Sequence, residues 1–371
     1  MRVLCLNVGS SSFKWSLIGM PGEDSLAAGE VELDSSTPGS IDLIAVLPKV
    51  RPVDAVAHRL VHGGGRFLGA TQLDDATVKA LEALKPLDPT HTPKALAGIA
   101  AARKALPNVP QLACFDTTFH ATLRPAAYTY ALPSGWNAEW GLRRYGFHGL
   151  SVTYAVQRAA ALLGKPVRSL LVCHLGSGSS ITAVRDGRSV DTSMGFTPLE
   201  GLPMSTRSGT VDPGLLLYVM RVHGLSVAEV ERALEEDSGL KGLAGTGDLR
   251  QVVQRADAGE AMAQQAYAVW MTGVRRGFGA MLAALDGLDC VAFTGGIGEH
   301  LPRARAEVLA PFGWCGLGVD AARNASPEGD AVVSAPGAKV SVLRVLARED
   351  LTMAREAEAV LNMNARKASE P

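Results

Sequence analysis

The chain has no C-x-x-C pair among its five cysteines, Cys5, Cys114, Cys173, Cys290 and Cys315. No His/Cys cluster has the spacing of a zinc site. Buried, reduced thiols in a cytoplasmic protein are expected instead, with Cys5, Cys173 and Cys290 inside apolar, strand-like runs. No uncharged apolar run reaches the roughly 18 residues of a membrane span. Met1–Met20 carries Asn7, four serines and Lys14, so it does not read as a signal peptide. Charge of one sign is not in excess: 36 Lys and Arg face 37 Asp and Glu, a net −1. No global field therefore draws nucleic acid or an acidic membrane. There is no G-x-x-x-x-G-K-[ST], which excludes a P-loop NTPase. No strand leads into G-x-G-x-x-G at the start of a helix, which argues against a Rossmann dinucleotide site. A Pro- or Ser-rich linker is also missing, so the two domains expected of 371 residues should pack closely.

What is present is an ordinary globular composition, 47% hydrophobic and 20% charged, with only Asn364–Pro371 reading as unstructured. Strand-like runs alternate with helical patterns, which implies an α/β protein. Arg2–Leu6 reads as a strand ending at Asn7-Val8-Gly9, with a return through Phe13–Ile18. Ser169–Cys173 repeats this, with a turn at His174–Ser179 and a return through Ile181–Val184. Cys290–Phe293 runs into Thr294–Gly298 and then a helix. Among helices, Ser226 and Glu229 form a capping box opening Val227–Leu234. Glu260–Leu285 carries a stripe of Tyr267, Trp270, Met271, Val274, Phe278, Met281, Leu282 and Leu285 at helical spacing, read as core. Leu351–Met363 is the terminal helix.

Three apolar strands thus end in glycine-rich turns. Such turns expose backbone N–H groups that can nest an anion, although hairpins also use glycine for geometry alone. Hydroxyls of Ser10–Ser12 and Ser177–Ser180, and Lys14 near the first turn, would add donors. His58, Arg59 and His62 place a basic cluster against the flexible turn Gly63-Gly64-Gly65. Arg207 lies in a second Ser/Gly-rich loop. Arginine presents a planar fork suited to phosphate oxygens. Asp116 follows an apolar run, where a carboxylate is costly without a partner. Arg, a metal or a substrate proton would each serve, and a strand-end cap is the alternative. His148, between Phe147 and Gly149, reads either as a donor to a phosphoryl oxygen or as a core histidine. Asp116 and Glu349 are candidates for Mg²⁺, though local spacing singles out neither.

Taken together these motifs resemble the acetate kinase family. Asn7–Lys14 is similar to its first pattern. Val190–Gly201, continuing to Arg207-Ser208-Gly209, is similar to its second, which is long and specific. Phe293–Glu299 is similar to its adenosine loop, and the likeness runs in order from residue 1 to about residue 358. The resemblance implies a two-domain, actin-like (ribonuclease H-like) kinase fold with the active site in an interdomain cleft. It assigns 1–120 plus 352–371 to one domain and 121–351 to the nucleotide-binding one. It implies a homodimer, ATP/ADP as co-substrate, Mg²⁺ (or Mn²⁺), and a short carboxylate as acceptor.

By motif, Arg59 and Arg207 would flank the phosphoryl group, with His148 donating to it. Asp116 would orient the carboxylate or metal, and Asn7 and Glu349 would hold the metal. Lys14, His174, Gly176, Ser177 and Gly178 would lie near the nucleotide phosphates. Asp248, Leu249, Arg250, Gly296, Ile297 and Gly298 would line the adenosine site. Val61, Phe147 and Pro198, with Arg59, would wall the acyl pocket.

Thr90-His91-Thr92-Pro93 stands where the family has Leu-His-Asn-Pro, and Ser177, His300 and Arg348 also depart from the family pattern. Thr90 replaces an apolar pocket wall. Acids differing by one methylene are separated by only about 1–3 kcal/mol in such pockets. A propionate or butyrate kinase therefore stands beside the acetate reading. An actin-like regulator that turns over ATP without an acceptor is the reading from another class, and Arg59, Arg207 and the apolar wall argue against it.

Overall fold

The structure, a computed structural model, describes residues 1–9, 12–32, 50 and 52–369. The chain forms two compact units. The first is Met1–Ala121, Phe147–Tyr154 and Arg348–Pro371; the second is Thr122–Gly146 and Ala155–Ala347.

The first unit is built on a six-stranded sheet of order β3-β2-β1-β4-β6-β5. Its strands are β1 (Arg2–Val8), β2 (Ser12–Gly19), β3 (Asp24–Glu32), β4 (Ala55–Leu60), β5 (Thr71–Gln72) and β6 (Gln111–Phe115). β1, β2 and β3 form an antiparallel meander, while β1, β4 and β6 run parallel. Alternation along these strands sorts side chains to two faces. Leu4 and Leu6 pack in one cluster with Ala102 and Leu106, at the end of helix Thr92–Ala105. Cys5, between them, donates to the Asp350 carbonyl of the terminal helix Glu349–Ser369. Both faces of the parallel strands are thus covered, which is why they read as nearly continuous apolar runs.

The second unit has a sheet of order β11-β12-β10-β7-β8-β9. Its strands are β7 (Ser169–Leu175), β8 (Ser179–Arg185), β9 (Arg188–Thr192), β10 (Cys290–Thr294), β11 (Ala331–Val332) and β12 (Ser341–Arg344). β7, β8 and β9 form a meander, and β7, β10 and β12 run parallel. This is the layout of the first unit again, although the sequence shows only the recurring strand-and-glycine theme. Helix Ala261–Ala283 supplies the core stripe, with Tyr267, Trp270, Met271, Val274, Phe278 and Met281 buried. The capping box at Ser226 and Glu229 is formed in full and opens helix Val227–Glu236.

One expectation is corrected. Asn364 and the residues after it continue the terminal helix to Ser369. Ala365, Arg366 and Lys367 are good helix formers, and the Asn364 side-chain amide donates to Gln72 Oε1 at 2.8 Å. Only Glu370 and Pro371 of that tail lie outside the described residues, as do Ser10 and Ser11 of the first glycine turn. All five cysteines are free, and Cys5, Cys114, Cys173 and Cys290 are buried. Burial pushes the Cys5, Cys173 and Cys290 thiols up, so they stay protonated. No helix among the described residues is long and apolar enough to cross a membrane.

Candidate active site

In the first unit, three parallel strands deliver polar groups at their carboxyl ends. Asn7 is the last residue but one of β1, Arg59 sits near the end of β4, and Asp116 follows β6. The registers pair Cys5 with Ala57 and Arg59 with Cys114, so Arg59 shares a face with the cysteines that touch the terminal helix. Glu349, the first residue of that helix, meets it there.

Arg59 donates through Nε to Asp116 Oδ1 at 3.0 Å and through Nη2 to Oδ2 at 2.6 Å, a bidentate fork. Its Nη1 reaches Asn7 Oδ1 at 3.3 Å, and Nε lies 3.5 Å from Glu349 Oε2. The Asp116 carboxylate is only 1% exposed, so of the partners open to it in the sequence the arginine is the one formed. Burial works against the Arg59 charge, but Asp116 and Glu349 more than offset this and raise its pKa. Burial also raises the Glu349 carboxyl, with Asp116 and Asp350 adding to the effect and Arg59 opposing it.

Around this cluster the chain is held by close backbone contacts. The Gly149 amide donates to the Asp116 carbonyl at 2.8 Å. A Cβ on Gly149 would lie 2.2 Å from that oxygen, so only glycine fits. His148, just before it, is buried with φ +60°, a left-handed conformation uncommon for a side-chain-bearing residue. Phe147 is buried, its carbonyl accepts from His120 Nε2 at 2.9 Å, and its ring meets the edge of His62 at 5.5 Å. Val61 is half-buried in the same unit, directly after β4. Lys14 lies across from Asn7 on β2 and is exposed, 3.8 Å from Glu30.

The expected basic cluster at His58–His62 reduces to one cation beside two histidines with structural contacts. His58 faces the opposite side of the sheet from Arg59, and its Nε2 donates to Gln111 Oε1 at 2.9 Å. Burial lowers its pKa to about 4, so it is neutral at pH 7. His62 Nδ1 accepts the Gly64 amide at 2.8 Å. The glycine turn is not loose either, since a Cβ on Gly63 would stand 2.6 Å from the Phe67 carbonyl. His120 is likewise buried and lowered to about 4. The run Phe115–His120 stands out in the sequence, but nothing in its local pattern marks the bond from His120 to Phe147, 27 residues on.

In the second unit, four loops converge. Between β7 and β8, Gly176 and Gly178 close the turn by a backbone bond of 3.0 Å. Ser179 bonds back to Gly176 and is fully buried, so its hydroxyl serves the turn and is no ligand donor. Ser177 is exposed at the tip, and His174 lies just before the turn. A Cβ on Gly176 would stand 3.7 Å from the Gly296 amide, which brings alongside the short helix Gly295–His300, formed directly after β10 where a glycine-rich turn over Thr294–Gly298 is expected from the sequence.

The Ser205 amide donates to the Ser177 carbonyl at 3.2 Å, docking the Arg207 loop on the same turn. Gly247 backs onto Ser205. Asp248 caps helix Leu249–Asp257 and pairs with Arg250. Leu249 is buried beneath, while Ile297 and Gly298 lie within the helix Gly295–His300. The Arg207 loop is fixed on its other side by Leu240 and Ser238, which donate to the Met204 and Thr206 carbonyls at 3.0 and 2.9 Å. Pro198 lies on the loop after β9.

Four of the departures read as follows. Thr90, Ser177 and His300 are exposed, and Arg348 pairs with Asp350 at 2.9 Å. Among the described residues no group of three or more His, Cys, Asp and Glu could hold a metal ion unaided.

Comparison with known proteins places these motifs in context. The model of the Acetokinase family matches residues 40–355. The acetate kinase of Carboxydothermus hydrogenoformans is 39% identical, over 98% of this chain and all of that protein. That of Leifsonia xyli subsp. xyli is 42% identical, over 96% of this chain and 98% of the other. The crystal structure of Porphyromonas gingivalis acetate kinase matches with a TM-score of 0.88 at 33% identity, covering 97% and 99% of the two chains. A propionate kinase from Francisella tularensis subsp. tularensis matches with a TM-score of 0.89 at 31% identity, covering 96% and 99%.

Proposed function

The chain belongs to the acetokinase family, and from that premise we propose that it is an acetate kinase. It transfers the terminal phosphoryl group of ATP reversibly to acetate, giving acetyl phosphate and ADP. The observation that carries this reading is the Arg59 fork, held by a buried carboxylate where three parallel strands end. Ligands of open α/β sheets bind at such carboxyl ends. A donor fixed before substrate arrives stabilises developing charge without reorganising.

Phosphoryl transfer asks the protein mainly for positioning and charge. Acetate, with a pKa near 4–5, is already an anion at pH 7 and needs no general base. The transfer is therefore direct and in line, with no phosphoenzyme. Arg59 and Arg207 neutralise the phosphoryl oxygens, and His148 donates to one of them. Asp116 keeps the Arg59 fork aimed. Val61, Phe147 and Pro198 offer apolar surface to the methyl group. The loops at His174, Gly176–Gly178, Asp248–Arg250 and Gly296–Gly298 take the nucleotide, with Lys14 near its phosphates.

The oxygens of Asn7 and Glu349 both lie within 3.5 Å of Arg59, a hard donor pair that fits Mg²⁺ or Mn²⁺. A nucleotide-borne cation needs only one or two such protein ligands, the rest being phosphate and water. When bound it neutralises phosphate oxygens.

Helix Pro213–His223 supports a homodimer. It has no buried residue, and Leu215, Leu217, Tyr218 and Val222 are about half exposed or more. Leu215, Tyr218 and Val222, at i, i+3 and i+7, share one face of the helix, and an exposed apolar face of this kind marks an interaction surface. Free thiols and soluble substrates fit a cytoplasmic location.

Incubation with Mg²⁺-ATP, hydroxylamine and a panel of short carboxylates tests the reading through acyl hydroxamate. Acetate is expected to be the preferred acid. Preference for propionate or butyrate would move the assignment to another acid of the same chemistry, and the likeness to the Francisella propionate kinase puts propionate in the panel. No hydroxamate with any acid would overturn it.

A further inference from the structure

Arg305 has no part in the reaction as described, yet it is fully buried. Its Nη1 donates to the Gly298 carbonyl at 2.7 Å and to the Glu299 carbonyl at 2.9 Å. Nε donates to Asn324 Oδ1 at 2.7 Å, and Nη2 to the Asn324 carbonyl at 2.6 Å. Asn324 is itself fixed by donating to the Pro302 carbonyl at 2.8 Å. The guanidinium therefore spends two of its bonds on carbonyls in the last turn of the short helix Gly295–His300.

Other groups hold the same helix. Arg344 donates to the Glu299 carbonyl at 3.4 Å. Glu299 Oε1 accepts from the Gly295 amide at 3.1 Å and from the Ala347 amide at 2.8 Å. On the other side Gly295, at φ +77°, lies so close to β7 that a Cβ would stand 2.8 Å from the Leu175 carbonyl. The outer side is open: Gly296 is exposed, and a Cβ there would meet nothing within 4 Å.

Among the described residues neither Arg305 nor Arg344 forms an ion pair. A buried cation whose partners are neutral carries a desolvation cost. Burial, with Arg344 adding to it, lowers the Arg305 pKa to about 10. Apolar side chains can fill a core position without that cost. What they cannot do is present several donors in a rigid plane to two successive carbonyls.

We propose that Arg305 is a positioning residue for the nucleotide, holding the Gly295–Glu299 segment in the shape that receives the adenosine moiety. The inference rests on the acetate kinase reading for the identity of the ligand. It assigns Arg305 to nucleotide affinity and not to the acid. A lysine at this position has three donors at one point, so it reaches one carbonyl and releases the other.

The test measures KM for ATP and for acetate, and Kd for ATP by calorimetry, in the full-length wild type, Arg305→Lys and Asn324→Ala. Arg305→Lys is expected to raise KM and Kd for ATP about tenfold, the factor that corresponds to one lost hydrogen bond of average strength. KM for acetate should stay within about twofold, on the same scale. Asn324→Ala removes the Nε partner and leaves Arg305 in place, so a smaller rise of the same kind is expected. If Arg305→Lys does not fold, Asn324→Ala decides. Unchanged ATP constants, or equal rises in both KM values, would overturn the proposal. Failure of the wild type to phosphorylate any acid would sink the functional reading instead, and the ATP titrations would still test Arg305.

Discussion

His120 offers a stability test whose size follows from its burial. Its ordinary pKa is 6.5 and burial lowers it to about 4, only partly offset by the bond to the Phe147 carbonyl. The sign follows from proton binding. Above about pH 6.5 both folded and unfolded chains hold it neutral; below that the unfolded chain takes a proton that the folded one refuses. Stability is therefore complete above the unfolded value and is lost as pH falls towards about 4. Between pH about 7.5 and about 5 the loss for this group is about 2 kcal/mol. His58 behaves in the same way, with a folded value of about 4.

Glu356 acts oppositely. Burial lifts its carboxyl to about 7, so its contribution is present at low pH and is lost as pH rises from about 4.5. The total pH profile thus mixes opposing groups, and the informative quantity is a difference. His120→Gln keeps a donor for the Phe147 carbonyl and removes the titration. Urea denaturation of both proteins should show the wild type losing about 2 kcal/mol more than the variant between those two pH values. A gap that stays constant to within about 0.5 kcal/mol, well below the linkage expected, would refute the burial account of this site.

Arg207→Ala should lower turnover by about two orders of magnitude or more with little loss of stability, since its loop is pinned by backbone bonds; steady-state rates and a urea midpoint check both. Arg59→Ala should lower turnover comparably but also cost about 3 kcal/mol of stability, because it strands the buried Asp116; an unchanged urea midpoint would contradict the fork. Gly149→Ala should cost about 1–3 kcal/mol by forcing the His148 turn off the Asp116 carbonyl, and hydroxamate formation should fall with it. Leu215→Asp on helix Pro213–His223 should yield monomers in light scattering if the face of Leu215, Tyr218 and Val222 joins two copies.

Much was legible in the residues alone. β1, β7 and β10 each begin at the residue expected or beside it, because apolar runs bounded by glycine report burial locally. The stripe on Ala261–Ala283 and the cap at Ser226 are local too, set by the pitch of a helix and the reach of one hydroxyl. Arg59, Asp116 and Glu349 stood out as candidates, each without a partner assigned by its neighbours in sequence. The tertiary structure chose the partners. Arg59 and Asp116 are 57 residues apart and meet because β4 and β6 pair in parallel. Glu349 joins them because the terminal helix starts over the same strand ends.

Long-range packing likewise made His58 neutral and brought Asn324 onto Arg305, whereas the Ser179 hydroxyl turns inward within its own hairpin. Hydrophobic periodicity is a property of neighbouring residues and survives in one dimension. Charge pairing, desolvation and close backbone approach depend on which distant segments become adjacent, and that is determined only when the sheets assemble.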